Sequence, residues 1–392
     1  MHRCVIAGAS FGLATLWTAL FTFPPMAVVQ FICAKIGMVS GEGRGGVLRK
    51  NFSKKIVYPA VLALLVANTI NAGADIGAIA AAVNLLAPIP IGILIIPITV
   101  VILAVQLWGS YRVIASIFKW LAFSLLAHIG AAFFAHPDIR QVLYGTFVPE
   151  FRWDSKFLSV LVAILGTTIS PYLFFWQSSQ EVEEQIANGR DRLGQRKGAT
   201  QHELRDAAWD VNLGMLFSNV VMYFIIMAPG ATFFKAGQTH IESAQQAAEA
   251  LRPVAGRFAE VLFAAGLIGS GMLAVPILTG SSAYALAEIL RWKRGLDQKP
   301  QRASKFYMLI AASTVAGMLI NFIGMNPISA LFWTGVLNGF VAPPLLFLLM
   351  RVSNNPKVMG KRVNGLGINI VGWLTTAVMF GAAIELVLTW KL

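Results

Sequence analysis

The chain has 392 residues, 57% of them hydrophobic and only 12% charged, with a formal net charge of +13. Soluble domains carry about 25% charged residues, so this composition cannot supply the polar shell of a water-soluble globule. The basic excess does not mark a nucleic-acid surface either, because Lys and Arg sit between apolar runs, the pattern of membrane topology.

No Asp, Glu, Lys or Arg occurs from Cys4 to Ala34, from Met308 to Met350 or from Val363 to Ile384, and between Ile56 and Tyr111 the only one is Asp75. A membrane-spanning helix needs about 20 predominantly apolar residues. Apolar runs set against charged or Pro/Gly-rich breaks predict ten spans, near 11–37, 56–85, 90–109, 111–135, 158–178, 212–234, 257–290, 306–324, 327–351 and 365–390. The second and seventh exceed one crossing, which implies tilt, a kink or extension into the interface. Residues 241–251 are predicted as a short surface helix, and Glu181, Glu183 and Glu184 as a solvated acidic run opening a loop.

Loops following odd-numbered spans (38–55, 179–211, 291–305 and 351–364) hold twenty basic residues, against six in the longer loops of the other face. The positive-inside rule places the first set in the cytoplasm, in a multi-pass protein of the cell inner membrane. The first span then runs from outside to inside behind a short lead of low charge, so a further helix is expected to precede residue 1. Arg3 and the apolar run behind it superficially resemble a secretory signal, but the run is too long and no small-residue cleavage site closes it.

Polar groups inside spans are expensive and face the bundle interior or a water-filled path. Asn68, Asn71 and Asp75 lie at i, i+3 and i+7 on one stripe of the second span. They serve either as a polar or coupling pathway or, for the asparagines, as interhelical hydrogen bonding. The fifth span contains Gly166-Thr167-Thr168-Ile169-Ser170-Pro171-Tyr172. Pro171 removes a backbone donor and clashes with the preceding turn. A break there frees carbonyls and hydroxyls that line a cavity or bind an ion; the alternative is a proline kink healed by Ser and Thr. Gly269-Ser270-Gly271 and Thr279-Gly280-Ser281-Ser282 read as small-residue packing surfaces. Asn338, with Pro343 and Pro344, marks a second kinked span. The five histidines form no metal-binding pair, the two cysteines no disulfide framework, and no phosphate-binding loop occurs.

With these residues in place, the chain resembles the natural-resistance-associated macrophage protein (Nramp) family of divalent metal transporters, and within it the bacterial Nramp-related branch. The resemblance covers essentially the whole chain. It rests on Ala9–Trp17, on Ile36-Gly37-Met38-Val39-Ser40-Gly41, on the run Ile169–Ser178 and on Asn326–Trp333. It implies an all-α bundle of two inverted five-helix repeats, the LeuT-like transporter fold, whose broken first and sixth helices meet at a central ion site. On that frame the ten spans are family helices 2 to 11. Residues 1–10 are then the remnant of a first helix, 11–156 complete the first repeat, 157–351 form the second, and 352–392 add a C-terminal helix.

Where the family has Met-Pro-His in helix 6, this chain has Ser170-Pro171-Tyr172. A further family histidine corresponds to Gln177, and of an acidic pair only Asp75 remains, with Asn71 nearby. A family glutamine aligns with Gly335, leaving Asn338 one turn on. The resemblance implies alternating-access transport of a divalent cation bound by Ser170 and Tyr172, with Thr167, Thr168 and Asn338. Asn68, Asn71, Asp75 and Gln177 would line the coupling path. Hydroxyl and carbonyl oxygens favour hard ions such as Mg²⁺ or Mn²⁺ over soft transition metals. No cofactor beyond the transported ion, no nucleic acid and no enzymatic chemistry is expected. Two other readings are a sodium-coupled organic-solute carrier of the same architecture and a truncated, inactive homologue.

Overall fold

A computed structural model describes residues 2–109, 111–235, 237, 252–296, 298–323 and 327–389. The described backbone is overwhelmingly helical. This is what hydrocarbon demands, since a helix satisfies its own N–H and C=O groups within the segment. In chain order the helices are α1 (His2–Phe11), α2 (Trp17–Ser40), α3 (Arg44–Asn51), α4 (Lys54–Leu86), α5 (Ile91–Trp108), α6 (Tyr111–Ser124), α7 (Leu126–Phe134), α8 (Ile139–Phe147) and α9 (Ser155–Thr168). They continue with α10 (Pro171–Ala187), α11 (Leu193–Arg196), α12 (Gln201–Thr232), α13 (Arg252–Leu290), α14 (Ser304–Ile320), α15 (Pro327–Ser353), α16 (Pro356–Met359) and α17 (Leu366–Thr389).

Among the described residues, eight stretches are long and apolar enough to cross a membrane, and α14 and the Leu337–Ser353 part of α15 are shorter apolar helices. All ten predicted spans therefore correspond to helical segments. Three details differ from the sequence reading. The first span starts later, because Gly12 at φ +61 opens a 3₁₀ turn over Gly12–Thr15 that separates α1 from α2. Residues 2–11 form a helix of their own, which packs on α12. The fourth span is divided between α6 and α7. The predicted surface helix at 241–251 lies outside the described residues.

Apolar side chains cover the outside of the bundle: Ile93, Ile96 and Val100 of α5 are more than half exposed, as lipid contact requires. Inside, long α4 lies against α13, α14 and α15. Its crossing with α14 is set by two glycines, because a Cβ on Gly73 would run into the carbonyl oxygen of Gly317. Asn321 Nδ2 ties the crossing by donating to the Gly73 carbonyl at 2.8 Å. Without a hydrophobic driving force in lipid, such close approach is what holds helices together. Replacing Gly73 with Leu should therefore cost about 1–3 kcal/mol of stability, read from denaturant unfolding in detergent. Leu at Gly92, which has nothing within 4 Å, should cost no more than about 0.5 kcal/mol.

The four basic loops meet at one end of the bundle. Gly198 N–H donates to Val39 O at 2.9 Å, Arg196 Nε to Gly41 O at 3.2 Å, and Arg362 Nε to Ala199 O at 3.1 Å. The loop at 291–305 joins through Arg294, whose Nε lies 3.3 Å from Glu288. The charge asymmetry counted along the chain is thus an asymmetry between the two ends of the bundle.

Candidate functional site

The fifth span is broken where Pro171 predicts. Helix α9 ends at Thr168, Ile169 and Ser170 leave helical geometry (ψ 59° and 132°), and Pro171 opens α10 at a position where its missing N–H costs nothing. The hydroxyls heal the end of α9. Ser170 Oγ donates to the carbonyls of Gly166 and Thr167, both at 2.8 Å. Thr167 Oγ1 donates to Ala163 O at 2.8 Å and Thr168 Oγ1 to Ile164 O at 3.0 Å. A hydroxyl whose proton is committed to a carbonyl keeps its lone pairs, so these oxygens remain able to accept a cation. Tyr172 is fixed from the other side, its carbonyl accepting from Ser281 Oγ of α13 at 2.6 Å. The Thr-Gly-Ser-Ser packing surface thus also braces the break.

The break opens onto a cavity of about 340 Å³. Seven of the nine residues singled out in the sequence line it: Asn71, Asp75, Thr167, Thr168, Ser170, Tyr172 and Asn338. Asn71 Oδ1 accepts from Thr334 Oγ1 at 3.4 Å. Asn338 is 3% exposed, and its side-chain oxygen has no hydrogen-bond partner among the described residues. An orphaned oxygen at this depth costs about 1–3 kcal/mol unless something outside the protein supplies a positive charge or a donor.

Asn68 and Gln177 lie outside the lining. Asn68 Nδ2 turns to α13, donating to Ser282 Oγ at 2.9 Å and Leu278 O at 3.2 Å, the interhelical bonding that was its alternative reading. Gln177 Nε2 donates to Glu181 Oε1 at 2.9 Å, a turn further along α10.

The cavity is also lined by residues outside those nine: Asn219 and Ser218 of α12, and the sulfur-bearing Cys4, Met26, Met215 and Met222. Asn219 Nδ2 donates to the Ala19 carbonyl, and its oxygen accepts from Thr22 at 3.4 Å. An amide in mid-span was the available signal for Asn219. Among the described residues, Asp75 is the only acidic one lining the cavity. Among the described residues no group of three His, Cys, Asp or Glu side chains could hold a metal. A cation here would be held mainly by neutral oxygens, or by the sulfurs that share the lining.

A second polar constellation lies at the basic end. Glu288, 2% exposed near the end of α13, accepts the N–H groups of Gly45 and Gly46 at 2.6 and 3.3 Å and the Ser179 hydroxyl at 3.2 Å, with Arg294 Nε at 3.3 Å. It therefore caps the N-terminus of α3, where unpaired N–H groups and the helix dipole favour an anion. Arg44, 1% exposed, donates its backbone N–H to Ser178 Oγ at 3.0 Å and its guanidinium to Leu345 O. Its guanidinium carbon sits 4.9 and 5.2 Å from the rings of Phe174 and Phe175, within cation–π range. Burial pulls its guanidinium down to about 10, so Arg44 is still charged at neutral pH.

The acidic run at 181–184 is helical and partly buried, not a solvated start of a loop. Helix α10 continues to Ala187, and Glu183 is buried, accepting from Tyr284 Oη at 2.8 Å. Helical periodicity turns Glu183 toward α13 with Ser179, four residues before it.

The profile of the family described as "Natural resistance-associated macrophage protein-like" matches residues 2–389. The chain belongs to the Nramp family. Among Nramp relatives, it is 25% identical over 387 residues to the divalent metal cation transporter MntH of Bacillus subtilis (strain 168), covering 98% of this chain and 86% of that protein. It is 25% identical over 380 residues to MntH of Mycobacterium tuberculosis (strain ATCC 25618 / H37Rv), covering 96% and 84%. The Eremococcus coleocola manganese transporter, solved with an aromatic bis-isothiourea substituted compound, superposes with a TM-score of 0.73 at 20% identity, over 98% of this chain and 82% of that one. MhsT in complex with L-phenylalanine superposes with a TM-score of 0.53 at 12% identity, over 97% of each chain. The Nramp assignment thus comes from the sequence profile, and the superpositions show the wider transporter fold. The chain is a multi-pass membrane protein, and its MntH relatives are transporters, not enzymes.

Proposed function

We propose that this chain carries a divalent metal cation across the cell inner membrane by alternating access, binding the ion at the α9–α10 break. The basic end is the cytoplasmic one. The halves 11–156 and 157–351 are the repeats that move against each other, with 352–392 as an added helix, and the transported ion is the sole metal required, with no cofactor. The observation that carries this reading is the juxtaposition, in one cavity, of Ser170, Tyr172 and Asp75 with the amide oxygen of Asn338, which has no partner among the described residues. The names of the MntH relatives and of the E. coleocola manganese transporter support divalent metals as the cargo.

Within that class we assign the site to hard ions, Mg²⁺ or Mn²⁺. The oxygen wall of α4, α9, α10 and α15 offers hydroxyl, amide and carboxylate ligands, which suit such ions. Mg²⁺ dehydrates reluctantly, and at roughly 30 Å³ per water a cavity of about 340 Å³ has room for an ion that keeps its shell. The test is uptake of Mg²⁺, Mn²⁺ and Cd²⁺ into proteoliposomes. Flux of Mg²⁺ and Mn²⁺ above Cd²⁺ is expected; Cd²⁺ transport without Mg²⁺ flux overturns the hard-ion assignment. A second reading follows from the sulfurs of Cys4, Met26, Met215 and Met222 in the same lining, which favour softer ions. Ser170→Met separates the two. If Ser170 is a ligand, the substitution raises Cd²⁺ preference over Mg²⁺ by about tenfold, roughly 1.4 kcal/mol; an unchanged order leaves selectivity with the sulfur wall.

A further inference from the structure

A cavity of about 620 Å³ opens at the basic end, away from the central site, between the end of α15, the residues joining α3 to α4, and the first turns of α17. Among the described residues its lining contains no acidic one. Two exposed cations, Arg351 and Lys357, contribute to it, and among the described residues neither has an ion-pair partner. Behind it lies a third positive charge, Lys35 of α2, 4% exposed, whose ammonium donates to a neutral oxygen, Asn364 Oδ1, and sits 5.8 Å from the ring of Phe31. A buried ammonium matched to an amide and a ring instead of a carboxylate leaves its charge uncompensated.

The amides around it are ordered by one another. Asn364 Nδ2 donates to Ser353 Oγ at 2.8 Å and to Asn369 Oδ1 at 3.4 Å, and Asn354 Nδ2 donates to Asn369 Oδ1 at 2.7 Å. With its oxygen occupied twice, Asn369 has only donors left: Nδ2 gives one hydrogen to the Asn364 carbonyl at 3.4 Å and keeps its second for the cavity the residue lines. The site is therefore positive and donor-rich, the chemistry of a phosphate oxyanion.

Its rim is apolar. Trp373 lines the cavity and packs against Phe347 of α15 with ring centroids 5.7 Å apart. Along α17, a membrane-spanning helix, Leu366, Ile370 and Leu374 are 78%, 58% and 62% exposed, a surface that acyl chains cover. An interfacial tryptophan beside a basic, amide-lined hollow on the cytoplasmic side is where an anionic headgroup meets its own chains.

We infer that this cavity binds the phosphate headgroup of an anionic phospholipid of the cytoplasmic leaflet, with its chains lying along α17. The inference is independent of which ion the central site carries. The test is native mass spectrometry of the delipidated full chain titrated with phosphatidylglycerol, with phosphatidylcholine and inorganic phosphate in parallel arms. One phosphatidylglycerol is expected to bind at least tenfold more tightly than phosphatidylcholine. Replacing both Arg351 and Lys357 with Gln should weaken it about 30-fold, the loss of two interfacial cations. Both side chains are exposed, so the variant should fold. Asn369→Leu, which changes no charge, should weaken binding as well. Lys54→Gln with Lys55→Gln, two exposed cations at the same end but outside the cavity, should leave it unchanged. Equal binding of phosphatidylcholine, an equal loss in the Lys54/Lys55 variant, or unchanged binding in the Arg351/Lys357 variant overturns the site. Inorganic phosphate competing in the same concentration range overturns the lipid assignment in favour of a soluble anion.

Discussion

Asn338→Leu is expected to lower metal uptake into proteoliposomes by about 10- to 100-fold, the range seen when a metal site loses a polar supporting group, while leaving the protein as stable as before or slightly more so. The two halves of that expectation come from one observation. Asn338 is almost wholly buried, yet its amide oxygen has no hydrogen-bond partner among the described residues. Replacing an unpaired buried polar group with an apolar one of similar volume is close to neutral for folding, because no internal hydrogen bond is given up. A residue retained for structure would behave oppositely, losing stability when its amide is removed. The measurement pairs an uptake rate with a denaturant midpoint. Unchanged uptake would remove Asn338 from the ion site; reduced uptake accompanied by a large drop in stability would make it a packing residue.

Glu288→Ala should have the largest effect on the closed basic end. The substitution leaves two backbone N–H groups of α3, the Ser179 hydroxyl and Arg294 without their shared acceptor. Removing one partner from a buried charged network costs about 3–5 kcal/mol, which is enough to release α3 together with buried Arg44. The readout is alkylation of Cys33, fully buried beneath this region, in a Cys4→Ser background. The rate should rise at least 100-fold, since 3 kcal/mol of lost closure exceeds two factors of ten. Glu288→Gln keeps a carbonyl oxygen for the α3 N–H groups but loses the charge, and should fall between Ala and the native protein. If Cys33 stays equally protected in the Ala variant, Glu288 does not hold this end shut.

The ten spans and the break at Ser170-Pro171 were legible because each rests on a one-dimensional cost: charge is excluded from hydrocarbon, and proline lacks a donor. The same reasoning reached Asn71, Asp75 and Asn338, which are polar groups inside apolar runs. It also placed Asn68 on the stripe of Asn71 and Asp75, but periodicity does not say which side of a stripe a neighbouring helix covers. Ser282 and Leu278 cover Asn68, and the cavity takes the other two.

The basic end was less legible. Arg44 stands in a loop rich in Lys and Arg, and its neighbours Arg49 and Lys50 carry the same charge, so only the tertiary arrangement shows that this one is buried. Glu288 was more accessible, since it falls within a predicted span and the cost argument applied to Asp75 applies to it too. Glu183 was misread because the acidic run was taken to end the helix, whereas α10 continues to Ala187.

Helix α10 touches both constellations. Its first residues, with Ser170 before them, edge the central cavity, and two turns on, Ser178 and Ser179 hold the backbone of Arg44 and the carboxylate of Glu288. At 1.5 Å per residue the separation is about 12 Å of unbroken helix, short enough to move as one lever. With the ion at the proposed site, cargo affinity and packing of the basic end are thermodynamically reciprocal. Whatever free energy an ion gains from one tilt of this half-helix, the basic end gains from the ion, and a variant that loosens that end should alter the dissociation constant at a site it does not touch.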